Sequence, residues 1–195
     1  MSRLVTVAVA GLAALLAVLL GVVAYQQFTA AGTAPVAQFG GPFKLVDGSG
    51  ESVTDGTYKG RWMLVYFGYT HCPDACPTAL NDVAVALDRL GGAARKVVPV
   101  FVTVDPERDT PPVMKDYVAA FGPSFVGLTG TPEELRRVEH EYRVYVAKHP
   151  TPDGGYDMDH SSFIYLMGPD GQFVRTFTHE DDPDEMARAL GKLIG

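Results

Sequence analysis

The sequence predicts an α/β domain, a mixed sheet flanked by helices, behind an N-terminal transmembrane helix. Three observations carry the prediction. Trp62–Gly68 and Val97–Val104 are unbroken apolar, β-rich runs, the pattern of strands buried on both faces. Segments with helical spacing of apolar residues alternate with these strands, which implies a sheet covered by helices. Cys72 and Cys76, the only cysteines of the chain, stand where the first buried strand meets its helix, and a dithiol at that junction is the thioredoxin-like arrangement.

The elements follow in chain order. Phe43–Val46 and Ser52–Thr54 flank Asp47-Gly48-Ser49-Gly50 and read as a hairpin, with glycine supplying the positive φ of the turn. The strand Trp62–Gly68 leads through the cysteines into a helix marked by Leu80, Val83, Ala84, Leu87 and Leu90, which Gly91-Gly92 stops. After the strand Val97–Val104 come Met114, Tyr117, Val118 and Phe121 at helical spacing, ending at Gly122-Pro123. Phe125–Leu128 is a short strand. Thr131-Pro132-Glu133-Glu134 starts a helix through Leu135, Val138 and Tyr142, with a threonine cap, proline in the first turn and acids at the positive end of the dipole. Val144-Tyr145-Val146 is strand-like. Ser162–Met167 and Gln172–Phe177 flank Gly168-Pro169-Asp170-Gly171 as a second hairpin, and Asp182-Pro183-Asp184-Glu185 opens a last helix with Met186, Leu190 and Leu193 on one face.

Ahead of the domain, no charged residue interrupts Leu4 to Ala24, about the ~20 residues that cross a bilayer as a helix. Arg3 precedes this segment and no Lys or Arg follows until Lys44, so the positive-inside bias places the N-terminus in the cytoplasm and the rest outside it. The alternative is a cleavable signal peptide, for which Ala30-Ala31-Gly32 and Thr33-Ala34 offer small residues, although the apolar stretch is longer than the ~7–15 residues of such a leader. The expected organisation is a membrane anchor over 1–25, a tether over 26–41 and a globular domain over 42–195. That domain holds all 23 acidic residues and every basic residue except Arg3; the whole chain carries a formal charge of −7. An acidic domain argues against nucleic acid as a partner. Export would permit a disulfide, and with two cysteines it can only be Cys72–Cys76.

The dithiol points to chemistry rather than packing. A structural bridge over so short a loop stabilises little. At a helix start, thiols turn into reactive thiolates more readily. Residues four apart on a helix face each other at roughly 5–6 Å, which suits either two thiolates on one ion or a disulfide. Thiolate is soft and selects Cu(I), zinc or iron–sulfur clusters, and structural zinc and iron–sulfur sites ordinarily want four protein ligands. Two cysteines with one histidine suit copper better. Of the five histidines, His71 adjoins Cys72, His140 lies in a charged helix, and His149 and His179 sit in polar surroundings. His160 precedes the strand Phe163–Leu166, and a residue at the start of a strand can be held rigidly near another strand's end. On spacing alone an ordinary hydrogen-bonding loop histidine is the stronger reading.

The run Phe67-Gly68-Tyr69-Thr70-His71-Cys72-Pro73-Asp74-Ala75-Cys76-Pro77 resembles the signature of the SCO/SenC proteins. Four further blocks match in order: Val102–Thr110, Gly127–Thr131, Tyr142–Tyr145 with Lys148-His149, and Asp159–Ser162 with Tyr165-Leu166. The resemblance implies a thioredoxin-like fold and copper, as Cu(I), Cu(II) or both, bound by Cys72, Cys76 and His160. It implies a task in assembling cytochrome c oxidase: delivery of copper to the dinuclear copper site of subunit II, or reduction of that site's cysteines by Cys72 and Cys76 acting as a redox dithiol. Partners would be subunit II, other copper chaperones and, through the N-terminal helix, the membrane. The expected location is the inner membrane, single-pass, with the C-terminal domain on the periplasmic side. Whether the chain is an enzyme stays open between these two tasks. A thiol peroxidase, with Thr70 beside an activated cysteine, is the third reading. Asp74 and Asp105 lie in the matched blocks: Asp74 as a turn residue, a group that tunes thiol acidity or a contact for a partner protein, and Asp105 as a side-chain cap of a turn at a strand end. Met158 is a spare soft donor, and Tyr66, Phe67 and Tyr69 are expected to shield the site.

Overall fold

The computed structural model describes residues 9, 11, 14–23, 25, 39–178 and 180–194. They fall into two units, residues 1–38 and residues 39–195. In the first, residues 14–23 are helical, and Leu15, Leu16, Val18, Leu19, Leu20, Val22 and Val23 are all exposed. The expected anchor over Leu4–Ala24 lies partly outside the described residues, and so does almost all of the tether. Among the described residues no helix is long and apolar enough to cross a membrane.

In the second unit the strands are β1 (Lys44–Asp47), β2 (Ser52–Thr54), β3 (Trp62–Gly68), β4 (Val97–Thr103), β5 (Val126–Thr129), β6 (Val146–Pro150), β7 (Tyr156–His160), β8 (Ile164–Met167) and β9 (Phe173–Phe177). The helices are α1 (Ala75–Leu90), α2 (Pro111–Ala119), α3 (Pro132–Tyr142) and α4 (Pro183–Ile194). Seven strands form a mixed sheet in the order β2-β1-β5-β4-β3-β8-β9. The centre, β3, β4 and β5, is parallel and joined through α1 and α2; β1 and β8 run antiparallel on either side of it.

Both central strands are buried along their length except Trp62 at the entry, as their unbroken apolar runs require. Alternation sends Phe67 to one face, where it meets Tyr142 of α3 at 5.2 Å and Tyr165 of β8 edge-on at 6.0 Å. Tyr66 points to the other face and stacks on Phe101 at 6.3 Å, which in turn meets Tyr117 of α2. Helices therefore cover both faces. Pro99 is tolerated inside β4 because β5 pairs with that strand only from Val100 onward. The start of α3 is a reciprocal capping box: the Glu134 N–H donates to Thr131 Oγ1, and the Thr131 N–H donates to the Glu134 carboxylate. At the front of the unit, Phe39 packs on Tyr165 and Phe173, and the Gly40 N–H donates to the Glu141 carbonyl at 2.9 Å.

Three expectations need correction. The strand read at Val144–Val146 begins at Val146 and continues to Pro150. It pairs with β7, so a separate two-stranded ribbon stands where the sequence reading had no hairpin. His160 is consequently the last residue of a strand rather than a loop residue before one. On α4, Leu193 is 44 % exposed; Met186, Leu190 and Ile194, each four residues apart, make the buried stripe.

Candidate metal centre

Cys72 sits in the loop between β3 and α1, and Cys76 is the second residue of α1. The turn before the helix is closed by the Cys72 N–H donating to the Tyr69 carbonyl at 3.2 Å. The Cys76 N–H then donates to Cys72 Sγ at 3.3 Å, so the first sulfur occupies the place of a helix cap. Pro77, next along, has no N–H to satisfy. Cys72 is partly exposed and Cys76 is buried; both are free thiols. Burial, the largest influence, pushes the Cys76 thiol far above its ordinary range.

His160 reaches the pair from the end of β7. Its Nε2 lies 3.5 Å from Cys76 Sγ, and its Nδ1 lies 3.0 Å from the Ser161 carbonyl. A carbonyl only accepts, so Nδ1 carries the proton and the neutral ring turns a lone pair on Nε2 toward the sulfur. Burial lowers the imidazole pKa and favours that neutral form. The donor atoms of Cys72, Cys76 and His160 all lie within 4.8 Å of one another. Tyr66 and Tyr69 flank the imidazole edge-on at 6.1 and 5.9 Å.

Gly68, the last residue of β3, makes room for this arrangement. A Cβ there would come within 2.7 Å of Cys76 Sγ and 2.8 Å of Phe101 Cε2. Gly68→Ala is expected to displace the sulfur or the ring and to cost about 1–3 kcal/mol, read by urea denaturation. A change below about 0.5 kcal/mol would show that the pocket yields freely.

The loop after β4 binds both halves of the centre. Asp109 is fully buried; it accepts from the Thr70 N–H at 3.0 Å, from Thr70 Oγ1 at 2.6 Å and from Thr103 Oγ1 at 2.6 Å, which fixes the loop that carries Cys72. Asp105, also buried, pairs with the Arg108 guanidinium and accepts from the Tyr156 hydroxyl at 2.9 Å. Arg108 donates to the Tyr156 carbonyl at 3.2 Å and lies over its ring at 4.0 Å; Lys148 Nζ approaches the same ring at 3.7 Å. Tyr156 begins the strand that ends in His160, so this stack fixes the ribbon. Sequence reading singled out Asp105 as a turn residue and missed Arg108, Asp109 and Tyr156. For Arg108 and Asp109 the signal lay in the second matched block, where three acids and an arginine follow a buried strand.

The other candidates lie elsewhere. His71 is exposed, and its Nδ1 donates to Thr70 Oγ1, whose own proton goes to Asp109. The Thr70 hydroxyl is therefore engaged away from the cysteines, against the peroxidase arrangement. His140 is exposed, as a charged helix face implies, and His149 pairs with Asp159 on the ribbon's surface. His179 lies outside the described residues. Met158 packs in a cleft with Val104, Asp105 and Leu135, and Asp74 is exposed at the start of α1.

Comparison with known proteins agrees with this architecture. A family model described as SCO1/SenC matches residues 31–195. Protein SCO1 homolog 1, mitochondrial, of Arabidopsis thaliana is 42 % identical over 173 residues, covering 88 % of this chain and 51 % of that protein. The chain thus spans about half the length of this relative. Bradyrhizobium japonicum ScoI, solved with copper bound, superposes with a TM-score of 0.74 at 49 % identity, covering 79 % of this chain and 98 % of the other. BsSco, described as a member of the Sco family of cytochrome c oxidase assembly proteins with a disulfide switch, superposes at 0.63 with 26 % identity, covering 82 % and 95 %.

Proposed function

The chain belongs to the SCO1/SenC family, and from that premise we propose that it is a copper metallochaperone, holding copper on Cys72, Cys76 and His160 and delivering it to the dinuclear copper site of cytochrome c oxidase subunit II. The observation that carries the reading is the meeting of two sulfurs and an imidazole lone pair within 4.8 Å. Two soft thiolates and one imidazole fit copper, and three donors leave room for a ligand from an acceptor protein. The copper-bound relative of the same fold supports this choice of ion. His160→Ala is expected to lower copper affinity at least about tenfold, measured by competition with a chromophoric chelator, while Cys72 and Cys76 still cycle between dithiol and disulfide. Unchanged affinity would remove His160 from the site.

Proton release gives a second test. Copper needs Cys76 as thiolate, and burial keeps that thiol protonated at neutral pH. Loading therefore expels at least one proton, and affinity climbs about tenfold per pH unit for each proton expelled. His160, with its pKa lowered by burial, is already neutral at pH 7 and releases none. Calorimetry in buffers of differing ionisation enthalpy counts the protons. A count of zero at pH 7 would contradict the thiolate site.

A second reading has its own support, since the two free sulfurs also lie within reach of a disulfide. In it, the more exposed Cys72 attacks a disulfide in subunit II and Cys76 resolves the mixed disulfide. Two electrons and two protons pass to the subunit's cysteines, and the Cys72–Cys76 bridge awaits an external thiol reductant. His160→Ala would leave this activity intact, and Cys72→Ser would abolish it.

The exposed leucines and valines around residues 14–23 support an inner-membrane anchor, and Arg3 ahead of them, with no further Lys or Arg until Lys44, supports a domain on the periplasmic side.

A further inference from the structure

Beside the Cys72–Cys76–His160 cluster opens a cleft of about 250 Å3. Its floor is apolar, formed by Ala75, Ala79, Ile164 and Met186, and its rim carries Asp74, Asp82 and Asp181. Tyr66 is the wall it shares with the cluster. That residue is 1 % exposed, and its buried hydroxyl lies next to Ser162 and Cys76 without closing a hydrogen bond. No Lys or Arg lines the cleft among the described residues.

The rim is short of positive charge. Asp181 accepts from Thr178 and forms one long ion pair, with Arg175 at 3.6 Å. Asp74 receives one weak bond, from the Thr78 hydroxyl at 3.4 Å. Asp82, half-buried on α1, has neither hydrogen bond nor ion pair among the described residues, and burial alone raises its pKa. A half-buried carboxylate without a partner is costly, and an incoming cation relieves that cost.

We propose that this cleft receives a lysine or arginine side chain of the protein that exchanges copper or electrons with Cys72 and Cys76. The aliphatic stem lies along Ala75, Ala79, Ile164 and Met186, and the charged head reaches Asp82 and Asp181. For arginine, the fork of N–H groups also supplies a donor to the Tyr66 hydroxyl oxygen. The position selects a protein over a free amine. Asp74 and Ala75 lead directly into Cys76, and Ser162 follows His160 by two residues, so a side chain seated here brings its own backbone alongside the sulfurs. The inference rests on the exchange function proposed above.

The test uses the metal-free full chain in detergent micelles, followed by methyl NMR. The probe is the blocked tripeptide Ala-Arg-Ala, with its neutral citrulline analogue as control. The arginine peptide is expected to shift Ala75, Ala79 and Ile164 saturably, the citrulline peptide to leave them in place, and Asp82→Asn to weaken binding roughly tenfold. Unmoved cleft signals, or equal binding of the two peptides, would overturn the proposal. In a second arm, Asp82→Asn retains wild-type copper stoichiometry and slows transfer to the soluble copper-site domain of subunit II, more at low salt than at high salt. Transfer at the wild-type rate at low salt also overturns it. If the wild-type chain takes up no copper, the exchange function fails on its own, and the peptide titration still reports on the cleft.

Discussion

Cys76→Ser is expected to abolish copper binding and dithiol cycling together. Cys76 is the most enclosed of the three donors, shut in behind Gly68 and Phe101. A serine hydroxyl is a hard, neutral donor in place of a soft thiolate, so the drop in affinity should exceed about a hundredfold. It also leaves Cys72 without a partner for any bridge. The folded state should survive, because the hydroxyl can donate to the lone pair of His160 Nε2. Metal analysis after desalting reads the first effect, and thermal unfolding confirms that the fold persists. One equivalent of copper retained by the folded variant would place the metal elsewhere.

Asp109→Ala is expected to have the largest effect on stability, at about 3 kcal/mol or more. The carboxylate is wholly buried and accepts three hydrogen bonds from Thr70 and Thr103. Truncation strands the buried Thr103 hydroxyl and two part-buried Thr70 donors, each costing about 1–3 kcal/mol if nothing else takes it. Asp109→Asn keeps one oxygen and should lose less. Urea denaturation of the two variants ranks them. A loss below about 1 kcal/mol for alanine would show that water enters and replaces the carboxylate.

What the sequence made legible follows from burial. β3 and β4 lie under helices on both faces, so their composition is apolar throughout and their ends are sharp. The caps of α3 were readable because Thr131 and Glu134 act within a few residues of each other. The β6–β7 ribbon was not. β6 is half-buried at Val146-Ala147 and exposed from Lys148 to Pro150, without alternation. β7 alternates, half-buried Tyr156, Met158 and His160 against exposed Asp157 and Asp159, but only Tyr156 and Met158 carry an apolar signal, too few to mark a strand. The cysteines were legible as a pair, but spacing could not choose His160 among five histidines. Its approach to Cys76 depends on a ladder running from Val146 to Pro150 and on Tyr156 held by Asp105 and Arg108. Such contacts, 51 residues apart along the chain for Tyr156 and Asp105, leave no local trace.

The separate ribbon has a consequence for how a bound ion would leave. Both sulfurs ride on one helix start anchored to the seven-stranded sheet, whereas the imidazole rides on two strands outside it. In the proposed site the ion would have two kinds of arm: the sulfurs are carried by the sheet, and the nitrogen by a ribbon held through the stack of Tyr156 on Asp105 and Arg108. Loosening that stack would free the nitrogen arm first and leave an ion held by the two sulfurs, so the ribbon's anchor would set how readily the chelate opens.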